Sequence, residues 1–249
     1  MQAIILLAGS GTRLKQNDLA HKSLLEFGNE TLLSRHLTSL QELGLERVHL
    51  VVGHNKDHLI EYVCRLNLSV PVNYIDNPVY DTTGNTLSVI LGLREAEGEV
   101  LIMDGDVLYP RQVFYDYVRR SPSSSFAIVP VPIDNVESAK VILRQDGSIK
   151  AFVTKRALTD EEISRYKFSG EAIGFFKFSA NDSKVFLDLY QTHEKEYIEL
   201  LWEIPFTDLA EKVKLAPWPI DGKGCYEIDT QSDYKEALDH FNSARTFYD

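Results

Sequence analysis

The chain has 249 residues, 44% hydrophobic and 25% charged, ordinary values for a folded globular protein. Its formal net charge of −11 speaks against nucleic acid or anionic membrane as partner, because both demand a positive field. Two cysteines without a C-x-x-C pair exclude a zinc ribbon and a disulfide framework, and no apolar run reaches the roughly 20 residues of a membrane span.

Residues 3–8 read as a buried strand, and Gly9-Ser10-Gly11-Thr12-Arg13 follows at once. Glycines let the backbone approach an anion and aim several N–H groups at it. Arg13 adds a planar, two-pronged cation. Ala20-His21-Lys22-Ser23 comes soon after and offers Lys22 as a point charge for the same phosphates. The combination points to a nucleoside triphosphate or a sugar nucleotide. It is not a P-loop, since no G-K-[ST] closes it, and the third glycine of the dinucleotide fingerprint is missing.

The spacing of Leu32, Leu33, Leu37, Leu40 and Leu43 predicts a helix over 31–43, stopped by Gly44. Strands are expected over 48–52, 72–75 and 100–103, with helices over 57–66 and 85–97. Alternation of this kind implies right-handed crossovers and a Rossmann-like α/β fold: a mixed, mostly parallel sheet with helices on both faces. Ligands in such sheets lie beyond the carboxyl ends of the strands, where residues 9–13, 53–54 and 104–106 fall.

The second half is richer in β-structure. Strands are expected over 125–130, 139–143, 149–154, 173–178, 213–217 and 225–228, and helices over 184–194, 196–202 and 231–241. They read as a small β-rich extension on the acceptor side. Without repeats or a long linker, residues 1–249 are expected to form a single domain, 1–120 its nucleotide-binding half and 121–249 its acceptor-binding half.

Asp104-Gly105-Asp106 ends a strand with two carboxylates, a way to hold Mg²⁺, which prefers oxygen ligands. The glycine is expected to leave room for a nucleotide across the backbone. Glu227-Ile228-Asp229-Thr230 ends another strand, and Asp229 would supply the second carboxylate beside Asp106. A metal held by two carboxylates plus substrate phosphates fits phosphoryl or nucleotidyl transfer. Tyr80, Phe168, Tyr190, Tyr197, Trp202, Trp218 and Tyr226 fall in segments expected to face the acceptor. Core packing is the commoner role for each, and a cage around a quaternary ammonium group is the alternative. Glu171 and Glu203 would balance the same positive charge.

L-A-G-S-G-T-R-L, A-H-K-S-L-L, M-D-G-D and E-I-D-T together resemble the nucleotidyltransferase superfamily that couples NTPs to phosphorylated small molecules. Asp76-Asn77-Pro78-Val79-Tyr80, Asn85-Thr86-Leu87-Ser88, residues 170–179 and Cys225-Tyr226-Glu227-Ile228-Asp229 are similar to bacterial phosphocholine cytidylyltransferases and relatives acting on inositol phosphate or aminoethylphosphonate. One position departs. Where those enzymes read N-N-x-x-S, this chain has Gly84 before Asn85.

The resemblance implies CMP transfer from CTP, with Arg13 on the leaving pyrophosphate and Lys22 at the α-phosphate. It places Mg²⁺ on Asp106 and Asp229, supported by Asp104. It implies nucleotide contacts from Leu7, Ala8, Gly9, Ser10, Gly11, Thr12, Gly53, Asn85 and Ser88. Acceptor contacts fall to Tyr80, Lys155, Glu171, Tyr197, Trp202, Glu203 and Tyr226, and phosphocholine is the first acceptor expected. A sugar-1-phosphate nucleotidyltransferase using UTP or dTTP is the alternative within the class, and a non-catalytic nucleotide sensor the alternative outside it. The partners expected are CTP and a phosphorylated small molecule, with no nucleic acid and no membrane, for a cytoplasmic monomer or homodimer.

Overall fold

A computed structural model describes residues 1–14 and 20–248; the side chain of Thr12, one of the expected nucleotide contacts, lies outside what is described. β1 (Gln2–Leu7) opens the chain, and two 3-10 turns follow at Thr12–Leu14 and Lys22–Leu24. β2 (Glu26–Phe27) and β3 (Glu30–Thr31) pair as a hairpin. The alternating half continues through α1 (Leu32–Glu42), β4 (Val48–Val52), α2 (Lys56–Cys64), β5 (Val72–Asp76), α3 (Asn85–Glu95) and β6 (Val100–Asp104). β7 (Val107–Leu108), α4 (Arg111–Arg120), β8 (Ser125–Val129), β9 (Lys140–Leu143) and β10 (Ile149–Val153) come next. Then follow α5 (Asp160–Arg165), β11 (Lys167–Phe178), α6 (Ala180–Tyr197) and α7 (Glu203–Leu209). β12 (Ala216–Pro219), β13 (Tyr226–Glu227), α8 (Gln231–Ser243) and α9 (Arg245–Tyr248) close the described chain.

One sheet runs β10-β9-β11-β6-β1-β4-β5, with β8 and β12 joined beside β11. β6, β1, β4 and β5 are parallel, and β11 is antiparallel to β6, β8 and β9. The mostly parallel α/β sheet expected from the sequence is present, and the β-rich extension continues that same sheet. β4 and β5 lie to one side of β1, and β6 lies to the other. The strand order reverses there, so a crevice opens beyond the carboxyl ends of β1 and β6.

Alternation along β1 feeds two cores. Ala3, Ile5 and Leu7 pack with Leu33, Leu37 and Phe114, whereas Ile4 packs on the opposite face with Ile90, Phe126 and Phe206. A third cluster joins Leu14 and Leu25 to Leu108, Ile228, Ala237, Phe241 and Tyr248. It fastens the segments on either side of Lys22 to β7, β13 and α8.

The structure departs from the sequence expectation in the second half. Residues 196–202 are not a separate helix: α6 runs unbroken by strand or loop from Ala180 to Tyr197, kinked at His193, and α7 begins only at Glu203. β11 starts at Lys167, six residues earlier than expected. Two register shifts bend it, and a Cβ at Gly170, whose φ is 126°, would lie 2.2 Å from the Val129 carbonyl oxygen. α4 and α5 were not expected, although Phe114, Tyr117 and Val118 are buried at helical spacing and Thr159 with Glu162 forms a capping box. Among the described residues, no helix is long and apolar enough to cross a membrane.

Two buried histidines make the fold sensitive to acid. Burial holds His21 down to about 4 and His36 down to about 3. In the unfolded chain these rings, near 6.5, take up protons sooner, so their contribution to stability falls as pH drops from about 6.5 toward 4, while the carboxyls of Asp104 and Glu227, held above their ordinary range, act in the opposite sense. In melts at constant ionic strength the Tm difference between wild type and His36→Gln should shrink as pH drops across that window; a difference that does not change with pH would contradict the burial of a neutral imidazole there.

Candidate active site

The crevice at the end of β1 holds a cavity of about 360 Å³. Leu6, Leu7, Gly9, Gly11 and Arg13 form one wall, and Asp104, Gly105 and Asp106 continue it from β6. Glu227 and Asp229 enter from the far end of the chain. The short β7–β13 ladder accounts for that meeting. Tyr226 pairs with Leu108, Glu227 with Val107, and the Ile228 N–H donates to the Asp106 carbonyl at 3.0 Å. Alternation puts Glu227 and Asp229 on one side while Ile228 is buried on the other. A capping box then fixes the following helix: the Asp229 and Thr230 N–H groups donate to the Asp233 carboxylate at 3.0 and 2.7 Å.

Lys22 is the centre of the charge network. Its Nζ lies 2.7 Å from Asp106 Oδ2 and 2.7 Å from Asp229 Oδ1, and Arg13 reaches the same Asp229 oxygen at 2.9 Å. Burial opposes the ammonium charge, but Asp106 and then Asp229 outweigh it and hold the Lys22 pKa above its ordinary value. Asp104, at the end of β6, is driven well above the carboxylate range, first by burial and then by the charge of Asp106. His21 lines the cavity as a neutral ring, its Nδ1 accepting from the Ser23 N–H at 3.2 Å.

Asp106, Glu227 and Asp229 each offer a carboxylate oxygen, all within 4.8 Å of one another. Asp106 Oδ1 is shut from solvent and has no hydrogen-bond partner among the described residues. An orphaned carboxylate oxygen in an all-oxygen donor set fits a hard divalent cation.

Two glycines have reasons other than those expected. A Cβ at Gly105 would lie 2.3 Å from Leu7 Cδ2, so close packing of β1 on β6, rather than room for a nucleotide, requires glycine there. A Cβ at Gly84 would lie 2.0 Å from the Leu200 carbonyl oxygen. Residues 198–202 are zipped to the start of α3: Gly84 N–H donates to Ile198 O at 2.9 Å, Thr86 Oγ1 to Leu200 O at 2.6 Å, and Trp202 N–H to Asn85 Oδ1 at 2.9 Å. Leu201, Trp202 and Glu203 thereby reach the cavity. The departure from N-N-x-x-S is thus a packing requirement of this segment.

Of the expected site residues, Leu7, Gly9, Gly11, Arg13, Lys22, Asn85, Asp104, Asp106, Trp202, Glu203 and Asp229 line this cavity. The others do not. Ala8 is buried and its carbonyl accepts from the His54 N–H at 3.0 Å, while Ser10 is exposed. Gly53 packs against the Tyr80 ring, leaving no space for a Cβ. Ser88 is buried and accepts from Asn77 Nδ2 at 3.1 Å. Tyr197 is in the core with its hydroxyl on Asp208 at 2.6 Å, and Tyr226 packs on His240. Glu171 accepts from the Ala139 N–H at 3.1 Å, and Lys155 is exposed. Phe168, Tyr190 and Trp218 pack in the apolar clusters. Trp202 is the one Trp, Tyr or Phe among the described lining residues. His21, Ser23, Gly174, Leu201 and Glu227 line the cavity without having been expected there. The i, i+2 spacing of Glu227 and Asp229 was the available signal for the last of these.

A strand-end turn with Arg13, a lysine shared by two carboxylates and a cation-fitting donor set define a site for anionic, phosphate-bearing ligands. Residues 3–158 match the MobA-like NTP transferase domain, and the chain belongs to that family of nucleotidyltransferases. Over 157 residues it is 27% identical to the CMP-5'-(3-aminopropyl)phosphonate synthase of Streptomyces rubellomurinus, covering 63% of this chain and 25% of that protein. Over 160 residues it is 26% identical to the bifunctional protein GlmU of Acinetobacter baumannii, covering 64% of this chain and 34% of GlmU. The matches thus span a quarter to a third of those relatives. In fold the chain is similar to the CTP:phosphocholine cytidylyltransferase of Streptococcus pneumoniae, at TM-score 0.76 and 20% identity over 96% of this chain and 97% of that one. It is also similar to the inositol-1-phosphate CTP transferase of T. maritima, at TM-score 0.73 and 20% identity over 98% and 96%.

Replacing Gly84 by Ala should break the zipper to residues 198–202. The overlap is expected to cost about 1–3 kcal/mol and to lower Tm by several degrees. A melt unchanged from wild type would show that the contact is not tight.

Proposed function

We propose that the protein transfers CMP from CTP to a small molecule bearing a phosphate or phosphonate and releases pyrophosphate, with Mg²⁺ held by Asp106 and Asp229. The observation that carries this reading is Lys22 shared between Asp106 and Asp229 at the cavity wall, with Arg13 beside them. Family membership supports nucleotidyl transfer, and the names of the cytidylyl-transferring relatives support CTP. Phosphocholine is the acceptor expected from the sequence; aminoethylphosphonate and inositol phosphate are the alternatives.

Both reactants are anions, so the site must orient them and screen their repulsion. Backbone around Gly9 and Gly11, with Arg13, binds the triphosphate and favours charge building on the departing pyrophosphate. Lys22 leaves its carboxylates for the α-phosphate oxygens, where negative charge concentrates. A divalent cation, when bound, supplies further charge neutralisation at the phosphates. The acceptor oxygen, already ionised near neutral pH, attacks the α-phosphorus in line and needs no general base. Action in the cytoplasm, as monomer or homodimer, belongs to the same proposal; the free thiols of Cys64 and Cys225 suit a reducing compartment.

The test is pyrophosphate release with Mg²⁺ for each NTP against a panel of small phosphates, phosphonates and hexose 1-phosphates. Turnover with CTP and an amine- or polyol-type acceptor is expected. Turnover only with UTP or dTTP and a hexose 1-phosphate would overturn the reading. Lys22→Ala should lower kcat about 100-fold or more while Tm moves by only a few degrees. Activity retained within a few-fold would remove Lys22 from the chemistry.

A further inference from the structure

The lining of the cavity is strongly acidic. Among the described lining residues, Asp104, Asp106, Glu203, Glu227 and Asp229 face only Arg13 and Lys22. Both cations are engaged at Asp106 and Asp229, where a divalent metal also fits. Asp104 and Glu203 are left without an ion pair among the described residues, close enough for their charges to act on each other. Gly174 gives Asp104 its room: a Cβ there would lie 2.8 Å from Asp104 Oδ2.

Glu203 is the more telling of the two. Glu203 lines the cavity, and its Oε2 has neither solvent nor a hydrogen-bond donor among the described residues. The nearby cation whose field reaches it, Lys155, is exposed and outside the lining. Burial accordingly raises the Glu203 pKa. A carboxylate oxygen kept from water and left without a donor is destabilising, and an N–H donor entering beside it removes that penalty. Charge alone does not do so. A quaternary ammonium has no N–H to give and is held by several aromatic faces. Among the described lining residues Trp202 is the one Trp, Tyr or Phe, and its ring packs against Phe126, Phe152, Phe176 and Phe206.

We propose that Glu203, with Asp104 and the edge of Trp202, forms a subsite for a protonated amine bearing N–H, so that the acceptor is an aminoalkyl phosphate or phosphonate rather than a quaternary ammonium one. This rests on the CMP-transfer reading and narrows its acceptor. The amine donates to Glu203 and neutralises the acidic end of the cavity, leaving the phosphate or phosphonate oxygen free to face the α-phosphorus. No bond at nitrogen forms or breaks.

The test holds CTP and Mg²⁺ constant and varies the acceptor through phosphoethanolamine, its N-methyl and N,N-dimethyl forms, and phosphocholine. Positive charge is kept throughout the series while N–H donors are lost one by one. The value of kcat/KM should fall, with the largest step, about tenfold or more, at loss of the last N–H. Glu203→Gln should lower kcat/KM for phosphoethanolamine through KM, flatten the series and leave the KM for CTP within about twofold. If that variant fails to fold, the series on the wild-type protein decides by itself. Phosphocholine used as well as or better than phosphoethanolamine would overturn the amine subsite and leave CMP transfer standing. No release from CTP with any acceptor would overturn both.

Discussion

Lys22 Nζ sits 2.7 Å from Asp106 and 2.7 Å from Asp229, and the functional part of the molecule is organised around that shared ammonium. The three groups come from residues 22, 106 and 229, so the contact ties the start, middle and end of the chain. As a source of stability it is modest. The two carboxylates are each about a quarter exposed, at 24% and 27%, and largely buried ion pairs return little beyond the desolvation they require. Apolar side chains in the same places would hold the fold as well. What they could not do is present a mobile cation and two hard oxygen ligands to the phosphates of a bound nucleotide.

Packing, not charge, places these groups. The cluster of Leu14, Leu25, Leu108 and Ile228 clamps the segments beside Lys22 onto β7 and β13, and α8 covers it with Ala237 and Phe241. The two larger cores on either face of the sheet fix β1 against β6, down to the contact that forbids a Cβ at Gly105. Residues 198–202 are held to the start of α3 by four hydrogen bonds, and Ile198, Leu200 and Trp202 pack in one of the two cores.

The first half of the fold was legible because its signals are local. Apolar runs ending in Gly9, Gly53 and Asp104 mark strand ends, and the leucines of α1 mark a helix face. The pairing of Asp106 with Asp229 was also legible, since strand-end carboxylates suit a metal. The second half hides its logic in long-range contacts. Nothing in the spacing of Tyr197 and Tyr226 shows that one is claimed by Asp208 and the other packs beside His240. The break between α6 and α7 follows from backbone bonds to Gly84 and Thr86, more than a hundred residues away in the chain. Gly84 itself read as a lapse from a motif, and only the Leu200 carbonyl explains it.

The account stands or falls on whether Asp106, Asp229 and Lys22 are the place where metal and triphosphate meet. The most direct measurement is Mn²⁺ binding followed by electron paramagnetic resonance, in the presence of CTP, for wild type and Asp229→Asn. Carboxylates at and beside a metal matter by roughly 10–100-fold in its affinity, so the variant should hold Mn²⁺ at least about tenfold more weakly. Equal binding by both proteins would place the metal elsewhere and contradict the site described here.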